Sequence, residues 1–149
     1  MKLAIASDHA GFELKEDLRN YLARAGHAVE DFGCYEPESC DYPDYAQKLC
    51  EAVLANLVER GILICGTGLG MSYAANRYPG IRAALCTNTY MAEMSRSHND
   101  ANILVMGARL IDGAAARDVL DVWLKTPFEG GRHLRRIQKI ENGTRTTGR

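Results

Sequence analysis

No stretch of this sequence is both long and apolar enough to cross a bilayer as a helix. No membrane association is therefore expected. A dominant charge is missing too: 18 basic and 19 acidic residues leave a formal −1, interspersed along the chain. That balance argues against a nucleic-acid binder. Met1–Ser7 reads directly as a strand, without the charged n-region and cleavage site of a secretory signal. C-x-x-C does not occur. The five cysteines (Cys34, Cys40, Cys50, Cys65 and Cys86) are odd in number, and 149 residues can bury a full core without covalent staples. A reduced cytoplasmic protein is the expectation. The four histidines, His9, His27, His98 and His133, show neither H-x-H nor H-E-x-x-H spacing, so no metal site is expected. Repeats, linkers and low-complexity segments are also missing, which leaves one domain.

What is present is organised around Arg60–Asn76, R-G-I-L-I-C-G-T-G-L-G-M-S-Y-A-A-N. Ile62, Leu63 and Ile64 form a continuous apolar run, which suits a central strand buried on both faces of a parallel sheet. Gly66, Gly68 and Gly70 follow, and Met71–Asn76 reads as the start of a helix. A strand, a glycine-rich turn and a helix put main-chain N–H groups around a small concavity that holds an anion. G-x-G-x-G is common in turns. It is not the dinucleotide fingerprint G-x-G-x-x-G, and no Lys-Ser/Thr follows to make a P-loop. Cys65 ends the strand, where parallel sheets bind their ligands, and is read as a functional thiol rather than a small core residue.

The rest of the chain alternates strands and helices. Lys2–Ser7 is a strand. Phe12–Ala25 is a helix with Leu14, Leu18 and Leu22 on one stripe and Gly26 as its stop. His27–Asp31 is a strand, and Pro43 suits the first turn of a helix reaching about Glu59. Ile81–Cys86 is a strand, and Asn88 caps a helix through Ser97. Asn102–Met106 is a strand. Asp112 caps a helix through Leu124 that turns Ala116, Leu120 and Trp123 inward, and Arg132–Glu141 is a last helix. The expected fold class is α/β: a single-domain, three-layer αβα sandwich over residues 1–141. It has a five-stranded parallel sheet of Rossmann or flavodoxin-like type and an extra C-terminal helix. Asn142–Arg149 reads as a polar, frayed tail.

Three further clusters carry possible chemistry. Asp8-His9 follows the first strand and shares a sheet edge with Cys65. Asp41-Tyr42 suits either a capping and packing pair or a site, and the residues leave both open. Arg132 and Arg136 are four apart on one helix, so they share a face and can grip one phosphate. Cations in a first helical turn oppose the helix dipole, which points to a use other than stability. His98-Asn99 lies between a helix and the next strand. That is the amino edge of the sheet, opposite Cys65 and Asp8. Within one subunit His98 is not expected to reach Cys65. Spacing alone makes it a turn former; a joint site needs His98 from another copy.

S-D-H-A-G at Ser7–Gly11, D-Y-P-D-Y at Asp41–Tyr45 and I-C-G-T-G-L-G-M-S at Ile64–Ser72 occur in order. R-S-H-N-D-A-N at Arg96–Asn102 and F-E-G-G-R-H-x-x-R at Phe128–Arg136 follow. Together they resemble ribose-5-phosphate isomerase type B, in the family shared with galactose-6-phosphate isomerase subunits. The resemblance runs from Met1 to about Glu141. It implies a cofactor-independent aldose–ketose isomerase of the pentose phosphate pathway, built as a homodimer that can pair into a tetramer. It implies Cys65 as the base and His98 as the group that opens the sugar ring. It further implies substrate contacts from Asp8, His9, Tyr42, Gly66, Gly68, Leu69, Gly70, Asn99, Arg109, Arg132 and Arg136. Some members carry a glutamate base in the glycine loop; none is present here. Cys40 and the tail receive no role.

The residue types suit that chemistry. Moving a proton between C1 and C2 through a cis-enediolate needs one base. A thiolate can serve when neighbouring positive partial charge stabilises it. Main-chain N–H groups of Gly66–Gly70 can stabilise the enediolate oxygen, and Thr67 can assist proton traffic. The arginines anchor the distant phosphate and so position the reacting carbons. No step needs a metal or nicotinamide. Two alternatives remain: a six-carbon substrate such as allose 6-phosphate or galactose 6-phosphate, and a non-catalytic sugar-phosphate-binding module.

Overall fold

The computed structural model describes residues 1–143 of the chain. Strands β1 (Lys2–Ser7), β2 (Ala28–Asp31), β3 (Arg60–Cys65), β4 (Ala83–Leu85) and β5 (Ile103–Gly107) alternate with five helices. These are α1 (Phe12–Arg24), α2 (Tyr42–Leu54), α3 (Leu69–Ala75), α4 (Thr89–Ser97) and α5 (Gly113–Lys125), and α6 (Arg132–Gly143) follows. The sheet is all parallel in the order β2-β1-β3-β5-β4. From β1 the chain winds outward to β2; from β3 it winds the other way. That reversal opens a crevice at the carboxyl ends of β1 and β3, where Ser7 lies level with Ile64.

The apolar run of β3 is continuous because both faces are covered. Ile62 and Ile64 join Leu3, Ile5, Leu104 and Met106 beneath Leu18, Leu22, Leu120 and Trp123. Leu63 and Cys65 face the other way, with Ala4, Ala6 and Val105, toward Leu49, Cys50, Val53 and Met71. Each fully buried Leu or Ile contributes about 1.5–3 kcal/mol. The expected inward set of α5 is fully buried, and Leu18 and Leu22 are buried on α1 with Leu14 packed at the margin. Lys15 is fully buried as well, which its place on a helix did not announce. Its ammonium meets Asp31 at 2.6 Å and Glu16 at 2.8 Å, fastening α1 to the end of β2.

Both expected caps form: the Asn88 carboxamide accepts from Met91 N and the Asp112 carboxylate from Ala115 N. Pro43 sits in the first turn of α2. That helix stops at Leu54 rather than about Glu59. Asn56 turns left-handed (φ 55°), and Leu57 N donates back to Ala52 O, a stop usually made by glycine. Strand β4 is shorter than Ile81–Cys86. Ile81 N turns back to Tyr78 O, and the Asn76 carboxamide occupies both main-chain groups of Ala83 in place of a neighbouring strand. Helix α3 starts two residues earlier than expected, at Leu69, and α6 runs two residues past Glu141. Of the expected tail, Asn142 and Gly143 belong to α6 and residues 144–149 lie outside the described residues. Among the described residues no helix is long and apolar enough to cross a membrane.

Candidate active site

The predicted residues fall into two groups at opposite ends of the sheet. The first surrounds the crevice between β1 and β3. Cys65 is 4% exposed, and its Sγ accepts a hydrogen bond from Gly68 N at 3.2 Å. Gly68 reaches that position with φ 79°, a conformation that suits glycine. Thr67 is exposed beside it, with its hydroxyl taken by Leu69 N. Helix α3 has only seven residues, so the direct amide contact counts for more at the thiol than a macrodipole. Burial pushes the Cys50 thiol up to about 12 and the Cys86 thiol up to about 11, and both stay protonated near neutral pH.

Asp8 is nearly buried; its carboxylate closes the turn by accepting from Gly11 N, while its own N–H donates to Ile64 O across the crevice. Asp8 thus closes an Asx turn just ahead of α1, whose N-cap is Gly11. His9 Nδ1 accepts from Cys40 N at 3.2 Å, which leaves the Nε2 proton as the donor of the neutral ring. Cys40, given no role from the sequence, therefore holds the loop that leads to Tyr42. The Tyr42 ring covers Gly70 so closely that a Cβ there would lie 2.6 Å from Cζ. Arg109 lies over Gly66: its N–H donates to Gly66 O, and Ala108 N donates to Cys65 O. A Cβ on Gly66 would meet the Arg109 guanidinium at 3.0 Å. Asp8, His9, Tyr42, Cys65, Thr67, the loop Gly66–Gly70 including Leu69, and Arg109 thus share the carboxyl edge.

The second group sits at the amino edge. His98 ends α4, and its ring stacks on His133 at 4.1 Å between centroids and 11° between planes. Glu129 Oε2 lies 3.4 Å from His133 Nε2 and 3.9 Å from His98 Nε2. Asn99 follows on the same turn, its carbonyl accepting from Arg82 Nε. The turn is shaped by buried Arg96, which bonds Ala101 O at 2.7 Å and Asp100 at 2.9 Å. Arg132 and Arg136 project exposed from α6, while His133 and Ile137 one position on form its buried pair. Burial first, then His98 and Arg132 nearby, holds His133 below the ordinary imidazole value. Glu129 and His133 lay inside a quoted motif, yet nothing in their spacing pointed to His98.

His98 therefore stands where the chain order puts it, away from Cys65. The arginines stand with His98, a grouping the sequence did not reveal. One chain holds a thiol among main-chain donors at one edge, and imidazoles with two exposed guanidinium groups at the other.

A family model described as Ribose/Galactose Isomerase matches residues 3–140. The solved structure of ribose-5-phosphate isomerase B from Clostridium thermocellum is similar with a TM-score of 0.96 and 53% identity, covering 97% of this chain and 98% of that one. Ribose-5-phosphate isomerase B of Escherichia coli is 45% identical over 139 residues, 93% of each chain. D-erythrulose-4-phosphate isomerase of Pectobacterium atrosepticum is 40% identical over 142 residues, 94% of this chain and 93% of that one. With the family model spanning nearly the whole chain and relatives of this identity covered end to end, the chain belongs to the ribose/galactose isomerase family.

Proposed function

We propose that the protein interconverts ribose 5-phosphate and ribulose 5-phosphate, with Cys65 as the base that carries a proton between C1 and C2. The observation that carries this reading is the Cys65 thiol at the crevice, accepting the Gly68 amide at 3.2 Å. A main-chain donor favours the thiolate and stays in place as charge moves to the substrate oxygen. The cis-enediolate oxygen then lies against the N–H groups of the Gly66–Gly70 loop. His9 and Arg109, on the same edge, bind the substrate's hydroxyl and phosphate oxygens. His98 gives and takes the ring-oxygen proton, a task suited to an imidazole near neutral pH. Asn99, Arg132 and Arg136 complete the grip on the phosphate end.

The second group reaches the first only from another copy of the chain. A two-fold homodimer that lays one copy's amino-edge turn over the other's glycine loop builds two equal sites. Proton transfer by a thiol and electrostatic stabilisation by amides account for the reaction without a metal or redox cofactor. The expected setting is the cytoplasm and the pentose phosphate pathway.

A different sugar length is the second reading. A relative 40% identical over most of its length is named for a four-carbon substrate, and the family description includes galactose. The test is an isomerisation panel on ribose 5-phosphate, erythrulose 4-phosphate, allose 6-phosphate and galactose 6-phosphate. The highest kcat/KM is expected on ribose 5-phosphate. A higher value on another sugar reassigns the substrate, and no turnover of any of them leaves only a binding module.

A further inference from the structure

We propose that His98, Glu129 and His133 form a binding site for a borderline divalent transition metal such as zinc, at the imidazole end of the sheet. The three residues offer one ligand atom each, all within 4.8 Å of one another. Two imidazole nitrogens and a carboxylate oxygen are a common donor set for zinc, whereas magnesium and calcium prefer oxygen alone. At metal–donor distances of about 2.0–2.2 Å, tetrahedral ligand atoms sit roughly 3.3 Å apart. The Glu129–His133 separation of 3.4 Å already meets that, and the Glu129–His98 separation of 3.9 Å exceeds it by a small movement.

A second observation points to a ligand. His133 is 5% exposed, and its Nε2, directed at Glu129, has no hydrogen-bond partner. A buried imidazole nitrogen of that kind is normally satisfied, and a metal ion would satisfy it. The backbone holds the cluster together independently of its side chains. Glu129 N donates to Ser97 O at 3.0 Å, His133 N to Gly130 O at 3.1 Å and His98 N to Met94 O at 3.0 Å. Glu129 is 57% exposed at its side chain and His98 37%, so an ion can enter from solvent. The nearly parallel rings present their lone pairs side by side rather than converging. Binding therefore turns the His98 ring out of its stack, and the stacked and metal-bound arrangements exclude each other. His98 and His133 are too far apart in sequence for a spacing motif to announce the site. Arg132 and Arg136 on the same helix oppose a cation, which sets a modest affinity.

The consequence for activity rests on the reading of His98 given above. A metal ion on His98 Nε2 removes the lone pair needed at the sugar ring oxygen, so zinc inhibits.

The test is calorimetric titration of the chelator-treated full-length protein with zinc chloride, alongside Glu129→Gln and His133→Gln. One zinc per chain is expected, weakened at least ten-fold by either substitution. Glu129→Gln decides the matter if His133→Gln folds poorly, since an exposed residue tolerates the exchange. Cobalt absorption in a Cys65→Ala background, which removes the thiol that the assembly brings to His98, is expected to show a nitrogen–oxygen set without a thiolate band. Wild-type zinc affinity in Glu129→Gln, or a thiolate band, overturns the proposal by moving the ion elsewhere. Zinc bound at the site without inhibition keeps the site and refutes the role given to His98.

Discussion

The two ends of the sheet are built from different materials. At the carboxyl edge, the groups around Cys65 are largely main-chain amides, stitched together by Gly68 N to Sγ, Asp8 N to Ile64 O and Ala108 N to Cys65 O. They cannot shift without disturbing β1, β3 and β5, whose side chains are almost wholly buried. At the amino edge the groups are side chains on turns and on α6, a helix with two buried residues. Fixed amides suit charge that develops over a short distance on one oxygen. Long exposed guanidinium groups suit an anion that must be caught and released. A phosphorylated sugar has one end for each. Yet the five residues of β5 put roughly 17 Å between the edges within one chain.

Removing the thiol should break the carboxyl edge most completely. Cys65→Ala is expected to lower kcat by about 10²–10⁴-fold, the range general acid–base groups supply. Inhibition by inorganic phosphate should stay near wild type, because the proposed phosphate contacts come from the arginines and His9 and not from the thiol. Near-native turnover in this variant would show that Cys65 is not the base. Next in size is the amino edge. Arg132→Ala and Arg136→Ala each remove a charge-assisted hydrogen bond of about 1.5–3 kcal/mol, so KM should rise about ten-fold or more. Some kcat is lost too, since remote binding aligns the reacting carbons. If phosphate inhibits the double variant as strongly as wild type, the pair is only a solvated helix face.

The carboxyl edge was far more legible than the amino edge, and the reason is physical. A strand buried on both faces, ended by a glycine turn, advertises itself through local pattern: Ile62, Leu63, Ile64 and then Gly66, Gly68 and Gly70. Caps are local too, which is why Asn88 and Asp112 could be placed. Residues that meet only through tertiary packing leave no such trace. Nothing local showed that Tyr42 would cover Gly70, that Cys40 would hold His9, or that His133 would stack on His98. Nothing local marked Lys15 as buried either, because its partner Asp31 comes from the end of β2. The short β4 and the early end of α2 depend on two asparagines: Asn76, through two hydrogen bonds to the main chain of Ala83, and Asn56, through one left-handed turn. The family resemblance named the residues of both edges, but it did not say that the arginines and His98 share one.

Whether the two edges meet across copies can be decided by subunit exchange. Cys65→Ala chains and His98→Ala chains, each inactive alone, are mixed under conditions that exchange subunits. Random pairing makes half the dimers mixed, and each mixed dimer has one intact and one doubly damaged site, so about a quarter of wild-type activity should return. A mixture as inactive as its parents, with exchange demonstrated, would mean that both residues act within one chain.

The smallest expected effect separates the edges within a single chain. Helix α6 carries both arginines, and polar contacts fasten it: Glu141 meets Arg82 at 2.8 Å and accepts from Gly80 N at 3.2 Å, while Glu129 N reaches Ser97 O. Arg82 in turn binds Asn99 O and Asp100 O, so the ion pair joins α6 to the turn that presents His98. Both partners are partly exposed, at 20% and 29% of their side chains, and such a pair contributes at most about 1 kcal/mol. Glu141→Gln should therefore lower Tm by no more than about 3 °C. The loosened helix should raise KM for the sugar phosphate a few-fold. The rate at which iodoacetamide alkylates Cys65 should not change, because Arg82 and Gly80, which Glu141 fastens, lie at the amino end of β4, away from the crevice between β1 and β3. A faster alkylation in Glu141→Gln would mean that the two edges are mechanically coupled inside one chain. A lowered kcat with KM unchanged would place Glu141 in the chemistry rather than in the anchoring of α6.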